Sequence, residues 1–231
     1  MNRNPERALR DELLSHLARG DIRRAGPTAE RLVERYPDYA SGRSAFSELW
    51  LRCGRPDLAC EQAERAYRLS PDSPEIVAQY AKCLVFDGAY RPAEQMAETA
   101  LSLEPDDHTT LDTIGNVLSR AGRQERALAV FQRALAAAPD NTTALYNLAT
   151  SLRFFGRIEE AEALFEKILE IDPDDFQALH SRSILKRQTA SSNHVAELEQ
   201  RLASDPPWPA SSHVGYALGK ELDDIGRPRD A

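Results

Sequence analysis

The sequence predicts an all-α fold, a right-handed superhelical solenoid of antiparallel helix pairs. Three residue types support this prediction, because each of them returns with a period of 34 residues. The repeated residues are Gly20, Gly54, Gly88, Gly122 and Gly156, then Ala25, Ala59, Ala93, Ala127 and Ala161, and then Pro37, Pro71, Pro105, Pro139 and Pro173. Self-similarity at such a period is typical of stacked supersecondary units that bury their apolar faces against each other.

Each repeat has the pattern of two helices. In the copy at 142–175, apolar residues with 3-4-3 spacing form a single stripe on a first helix. Asn141 is suited to cap its start, and Gly156 to make the left-handed turn after its end. A second helix follows and stops before Pro173, because proline disfavours helical geometry in the preceding residue. The alanine that recurs in the second helix predicts a close helix crossing with no room for a larger side chain.

The period divides the chain into regular and divergent repeats. Five regular repeats are predicted at about 6–39, 40–73, 74–107, 108–141 and 142–175. In a divergent sixth repeat at 176–211, DFQALHSRSILKRQT has the pattern of a first helix, Ala190 replaces the turn glycine, and a shorter second helix ends at Pro206 and Pro207. A truncated seventh repeat at 212–231 restores the motif with Gly226 and Ala231. We therefore expect the chain to be a fragment of a longer protein.

Composition excludes several classes of protein. The 231 residues carry a net charge of −8, which argues against non-specific nucleic-acid binding, since phosphate contacts need a cationic surface. No signal peptide and no long apolar run is present, so a cytoplasmic protein that makes no membrane contact is expected. Cys53, Cys60 and Cys83 form no C-x-x-C pair and are expected to be buried or half-buried, with neither disulfide nor zinc.

The repeat resembles the tetratricopeptide repeat (TPR). The matching residues are Leu111, Ile114, Gly115, Leu118, Ala127, Phe131, Ala134 and Pro139 in the fourth copy, and Leu145, Leu148, Ala149, Leu152, Ala161, Phe165, Ile168 and Pro173 in the fifth. The first copy departs most, with Glu12 and His16 at apolar positions, as a terminal repeat with one face in solvent can. The resemblance implies a peptide-binding or protein-binding module whose first helices line a concave groove.

Groove positions carried over from this resemblance predict a binding surface for an acidic, extended ligand. Those positions hold seven cations and three acids, although the chain as a whole is acidic. The candidate peptide-binding residues are Arg52, Lys82, Phe86, Asn116, Arg120, Tyr146, Asn147, Arg153, Phe154 and His180. The same positions also place Leu17, Ala78, Val85, Asp112 and Gln188 in the groove. A simpler alternative is that some of these side chains pack against neighbouring helices and that the charge excess is a fluctuation.

The sequence contains no constellation that predicts catalysis, and no cofactor or metal is expected. The five histidines are spread along the chain without an H-x-x-x-H or H-E-x-x-H spacing. The acidic segments EPDD (104–107) and DPDD (172–175) lack the twelve-residue calcium loop and suit helix capping instead. No strand-loop-helix phosphate site is present. The segment itself is therefore expected not to be an enzyme.

Residues 176–231 have a second, narrower resemblance. The glycine-less turn LKRQT, the helix VAELEQRLA and the segment YALGKELDDIGRPRDA are similar to the linker repeats of bacterial TPR proteins that carry a sulfotransferase domain. This resemblance implies a helical module that selects substrates for an attached enzyme, which transfers sulfuryl groups from a nucleotide donor. The alternative is a stand-alone scaffold that acts by self-association or by bridging partners. The sequence leaves the ligand and the oligomeric state open.

Overall fold

The computed structural model describes residues 4–227, and these residues form α-helices joined by short turns. The helices are α1 (Pro5–Ala18), α2 (Ile22–Arg35), α3 (Ala40–Arg52), α4 (Pro56–Leu69), α5 (Pro74–Phe86), α6 (Tyr90–Ser102), α7 (His108–Arg120), α8 (Gln124–Ala137), α9 (Thr142–Phe154), α10 (Ile158–Ile171), α11 (Phe176–Ser183), α12 (Val195–Ala203) and α13 (Ala210–Asp224). Within 4–227 the only β-type pairing is one isolated bridge between Thr189 and Ser192. The predicted all-α solenoid is confirmed.

Side chains at the helix starts satisfy backbone donors that the helix itself leaves free. The Asn141 side chain accepts a hydrogen bond from the Ala144 N–H at 2.9 Å, as the sequence predicted. Asp107 and Asp175 do the same for α7 and α11, at 2.8 Å each. The acidic segments thus act as helix caps, which is the structural role that the sequence favoured for them.

The recurring glycines end the first helices in the left-handed region. Gly20, Gly54, Gly88, Gly122, Gly156 and Gly226 have φ between 69° and 82°. At Gly122 the chain reverses so that the Arg123 N–H donates to the Leu118 carbonyl at 2.8 Å. Only glycine adopts this φ without steric cost, which explains the glycine period.

Replacing Gly122 with valine is expected to lower the free energy of unfolding by about 1–2 kcal/mol, because a β-branched side chain must adopt a positive φ there. Nothing lies within 4 Å of the position that a Cβ would take, so the cost would come from the backbone and not from a clash. Denaturant unfolding should show the loss. Gly122→Asn is the control, since asparagine tolerates the left-handed region better. Equal stabilities of the two variants would contradict this explanation.

The chain forms two compact units, one up to Ala134 and one from Leu135 on. In the first unit the recurring alanines Ala25, Ala59, Ala93 and Ala127 are completely buried. Gly115 of α7 lies under the Phe131 ring of α8 so closely that a Cβ there would be 2.4 Å from Phe131 Cε1. Small residues at the crossings therefore let the helix pairs approach each other closely.

The first unit has a layer of first helices and a layer of second helices. Successive first helices, α1, α3, α5 and α7, pack directly on one another, and each also packs on a second helix. The second helices α2, α4 and α6 have no comparable packing among themselves within the described part of this unit. Farther along this layer, the neighbours are bridged by long side chains: Arg123 donates to Glu94 at 2.6 Å, and Arg126 pairs with Glu98. The first-helix side is therefore the closer-packed, inner side of the unit.

In the second unit α9 packs on α10, α10 on α11, and α13 on both α11 and α12. The sixth repeat differs from its prediction, because α11 ends at Ser183 and does not continue through Gln188. Lys220 of α13 explains the early end: its ammonium group donates to the carbonyls of Ser183, at 2.6 Å, and Lys186. A carbonyl that accepts a hydrogen bond from a side chain does not need a backbone N–H from a following helical turn as its partner. The predicted motif residue Ala231 lies outside the described residues.

Candidate functional site

The 34-residue period brings the candidate binding residues of the first unit together. Glu48 and Arg52 on α3, Lys82 and Phe86 on α5, and Asn116 and Arg120 on α7 occupy the same two positions in successive repeats. Residues four apart lie on one helix face, and the three helices pack side by side. We call these six residues the first-helix row.

An ion cluster occupies one end of the first-helix row. The Glu48 carboxylate accepts hydrogen bonds from Lys82 Nζ at 2.7 Å and from Arg52 Nε at 3.1 Å. Gln79 Nε2 donates to the same carboxylate at 3.3 Å, and Arg52 Nη1 donates to the Leu17 carbonyl at 2.9 Å. Two of the cations predicted to receive an acidic ligand are thus already bound to a carboxylate of the protein.

Glu48 is held in its ionised form. Burial by itself would raise the pKa of this carboxyl, but the charge of Lys82 and the hydrogen bonds from Lys82, Arg52 and Gln79 outweigh burial and lower the pKa below its ordinary value. Glu48 therefore keeps its negative charge at neutral pH. The cluster of one acid and two cations has a net charge of about +1.

The other end of the row pairs a cation with an aromatic ring. The Arg120 guanidinium lies over the Phe86 ring, 4.8 Å from its centroid, and the Phe86 side chain is about half exposed. Such stacking fixes the planar guanidinium while leaving its N–H donors free to bind a carboxylate. Among the residues that the structure describes, no acidic side chain forms an ion pair with Arg120.

Several residues predicted for the groove do not line it. Leu17, Ala78, Val85, Asp112 and Gln188 are buried. For Leu17 and Val85 the reason is helical geometry: consecutive helical residues point about 100° apart, and the exposed residues there are their neighbours Ala18 and Phe86. Gln188 lies beyond the end of α11. Asn116 is exposed, and its side-chain amide donates to the Asp112 carbonyl of its own helix at 2.8 Å.

In the second unit Tyr146 is anchored by neighbours and does not stand free. Its hydroxyl lies 2.9 Å from Ser181 Oγ and accepts from Gln177 Nε2 at 3.1 Å. Its ring packs edge to face on Phe165, with the centroids 5.5 Å apart. Tyr146 is half-buried, so it joins α9 to α11 and offers little surface as an anchor for a ligand.

The end of α9 presents the open part of the predicted site in this unit. Phe154 is 65% exposed and packs edge to face on Phe155, and Arg153 beside it is exposed as well. Asn147, about two turns earlier on α9, is half-buried. Arg153 and Phe154 thus offer a cation and an apolar ring on one surface of the second unit.

The structure brings two of the five histidines together, although they show no metal-binding or catalytic spacing in the sequence. His180 of α11 and His213 of α13 lie edge to face, with their ring centroids 5.8 Å apart. Burial and the neighbouring His213 lower the pKa of His180 below its ordinary value, so the ring is neutral at pH 7. His180 lies in the divergent sixth repeat and His213 in the seventh, where the 34-residue register no longer aligns partners, so the period does not reveal the contact.

The cysteines show no feature of a reactive site. Cys60 is half-buried and Cys83 is buried, as predicted, whereas Cys53 is exposed because it follows the last residue of α3. Burial raises the pKa of Cys60 to about 11 and that of Cys83 to about 12, so both remain protonated thiols. Among residues 4–227, no three His, Cys, Asp or Glu side chains are close enough together to hold a metal ion.

Sequence reasoning missed a buried polar network in the second unit. Glu221 of α13 has no exposed surface and accepts hydrogen bonds from Ser183 Oγ and from the His194 backbone N–H, both at 2.6 Å. Arg182 is 97% buried between Glu166, at 3.1 Å, and Glu197, at 2.6 Å. Both groups join the divergent sixth repeat to a neighbouring repeat, where the 34-residue register no longer aligns partners, so no spacing signal reveals them.

The geometry defines a solenoid of stacked helix pairs, and comparison with known proteins assigns its family. Two family profiles, each described as a tetratricopeptide repeat, match residues 10–74 and 118–182, which together make up more than half of the chain. The chain belongs to the tetratricopeptide-repeat proteins. A search of curated proteins finds no match. In the described range, no helix is both long and apolar enough to cross a membrane.

Solved structures with the same fold are distant in sequence. TTC0263, a thermophilic TPR protein of Thermus thermophilus, is 20% identical with a TM-score of 0.68, over 78% of this chain and 98% of that one. PilW, a type IV pilus biogenesis factor, is 17% identical with a TM-score of 0.68, over 99% and 98%. YrrB, a TPR protein with an unusual peptide-binding site, is 20% identical with a TM-score of 0.54, over 85% and 91%.

Proposed function

We propose that this chain is a protein-interaction module that binds an extended peptide segment along its first helices. The family and the inner layer of first helices support this function, because the closer-packed side of a solenoid offers a continuous surface to a partner. YrrB, one of the similar structures, is itself described by its peptide-binding site.

The preferred ligand in this proposal is an acidic peptide with apolar residues. The observation that carries it is the stacked pair of Arg120 and Phe86, in which a guanidinium without a carboxylate partner among the described residues lies beside an exposed ring. Arg153 and Phe154 present the same two chemistries in the second unit. Arginine binds carboxylates through paired N–H donors, and an aromatic ring favours an apolar neighbour.

Arg120→Gln is expected to weaken binding of such a peptide about tenfold, because it removes a charge-assisted hydrogen bond. A fluorescent peptide in which Glu alternates with Leu is a suitable probe, and its anisotropy during titration gives the dissociation constant. The matched control is Arg126→Gln on α8, which removes the same charge from the layer of second helices, where Arg126 pairs with Glu98. Equal losses for both variants, or no loss at Arg120, would refute the proposed site.

The wider context of the module is also proposed, from the resemblance of 176–231 to sulfotransferase-associated repeats. In this proposal the module presents acceptor proteins to an enzyme encoded by the same reading frame. Sequencing the reading frame beyond Ala231 tests the idea, since a phosphate-binding loop downstream would support it. A stop codon there would favour the alternative, a stand-alone scaffold that bridges partners. PilW and MamA are other proteins with this fold, and PilW is described as a pilus biogenesis factor.

A further inference from the structure

Two cations of the first-helix row are bound to a carboxylate of the protein, and the third is not. Lys82 Nζ and Arg52 Nε both donate to the Glu48 carboxylate, at 2.7 and 3.1 Å. Arg120 instead stacks on Phe86 and has no ion-pair partner among the described residues. An acid placed between these cations weakens their attraction for an acidic ligand, so positive charge alone does not explain the arrangement.

We infer that Glu48 acts as a built-in competitor of the acidic ligand, so that the first unit selects peptides with one carboxylate beside an apolar side chain and rejects polyacidic segments. Arg120 receives the carboxylate and Phe86 the apolar group, whereas Arg52 and Lys82 are kept from binding a second carboxylate. This inference rests on the proposed function and names its specificity-determining residue.

Three physical reasons favour Glu48 over a carboxylate of the ligand as the partner of Arg52 and Lys82. Because Glu48 is part of the protein, its pairing with Arg52 and Lys82 costs no translational freedom, whereas the binding of a carboxylate from a ligand does. Its carboxylate is only 21% exposed, so the attraction to Lys82 is less screened by water than an attraction at the surface. Gln79 adds a further hydrogen bond from the same side, which fixes the carboxylate in place.

A second observation shows that this arrangement is special to the row. Elsewhere in the described part of the first unit, the ion pairs between neighbouring repeats join second helices or the turns before them, as Glu94 and Arg123 do at 2.6 Å. Glu48 is the acid that pairs with a cation of the next first helix, at the same position one period later. An acid and a cation at equivalent positions thus neutralise each other across the surface that the ligand would use.

Glu48→Gln tests the inference, because it removes the charge and keeps an oxygen for Lys82 and Arg52. We expect this variant to bind a poly-Glu peptide roughly three- to tenfold more tightly, which is the usual size of the effect of one partly exposed charge at an interface. Binding of the peptide of alternating Glu and Leu should change little. The control is Glu94→Gln, an ion-paired glutamate of similar exposure, 27%, on α6. Equal gains for both variants would mean a general effect of net charge and would overturn the inference.

Further variants separate this inference from the proposed function. Arg52→Gln should weaken binding of the Glu-Leu peptide less than Arg120→Gln does, because Arg52 is already occupied; equal losses would overturn the inference. This comparison holds even if thermal melts show that Glu48→Gln does not fold. Adding Lys82→Gln to Glu48→Gln should abolish the gain, and a gain that persists counts against Glu48 as the competitor. If neither the parent nor any variant binds an acidic peptide, the proposed function itself fails.

Discussion

Replacing Glu221 with alanine is expected to lower the free energy of opening of the second unit by about 2–4 kcal/mol. The completely buried carboxylate accepts hydrogen bonds from Ser183 Oγ, from the His194 N–H and from His194 Nδ1, at 2.6, 2.6 and 3.1 Å. Alanine would leave these donors buried without an acceptor and would open a cavity between α11, α12 and α13. Hydrogen exchange of amides in these three helices measures the loss directly.

The control for Glu221 is Glu199→Ala, which removes an exposed glutamate from α12 and should change protection little. Glu221→Gln keeps one acceptor oxygen and should fall between the two. If Glu221→Ala exchanges no faster than Glu199→Ala, the network does not stabilise the second unit.

The lowered pKa of the Glu221 carboxyl predicts how the stability of the second unit depends on pH. Burial alone would raise the pKa of Glu221, but hydrogen bonds from His194 and Ser183 outweigh burial and hold the pKa below its ordinary value of 4.5. A carboxyl with a lowered folded pKa stabilises the fold above its unfolded pKa, and this stabilisation is lost as pH falls through the folded pKa. Protection of α11–α13 should therefore fall below about pH 4.5, and less so in Glu221→Gln.

Gly115→Leu is expected to destabilise the first unit by roughly 1–3 kcal/mol through overpacking. Phe131 is 97% buried, and its ring occupies the space that a side chain at Gly115 would need, with three ring atoms within 3.0 Å of the Cβ position. Leucine has a higher helix propensity than glycine by under about 1 kcal/mol, which is too little to offset the clash. Denaturant unfolding monitored by circular dichroism should show the loss.

Gly215 of α13 offers the control, because it is also a glycine inside a helix and no proline follows it. Nothing lies within 4 Å of the position of its Cβ, so Gly215→Leu should stabilise the helix by about 0.5–1 kcal/mol. Opposite signs at Gly115 and Gly215 would identify ring packing as the cause. Stabilisation at both positions would show that the Phe131 ring moves aside at no cost.

Only part of the candidate site could be predicted from the sequence. The period placed Phe86 and Arg120 at equivalent positions on neighbouring first helices, and the structure brings them into contact. The same period would have placed Glu48 opposite Lys82, since they are 34 residues apart, but the count of groove charges treated them as separate. A sum of charges does not show which of them neutralise each other, because pairing depends on side-chain direction across two helices.

The sequence alone determined the helix pairs of the regular repeats, with their caps and turns. These features are local: a glycine at a left-handed φ, a proline after a helix, or an Asn141 cap depends on the conformation of a few adjacent residues. The buried alanines follow from the same period, because a fixed spacing on regular helices repeats the same contact.

Only the tertiary structure decided where the charges lie and how the sixth repeat folds. The occupation of Arg52 and Lys82 by Glu48, and the end of α11 at Ser183 beneath Lys220, join residues on different helices. The Glu221 network joins residues 27 and 38 positions apart, which match no period of the chain. Such contacts depend on how side chains meet after the helices have packed, and the spacing of residues along the chain does not specify that.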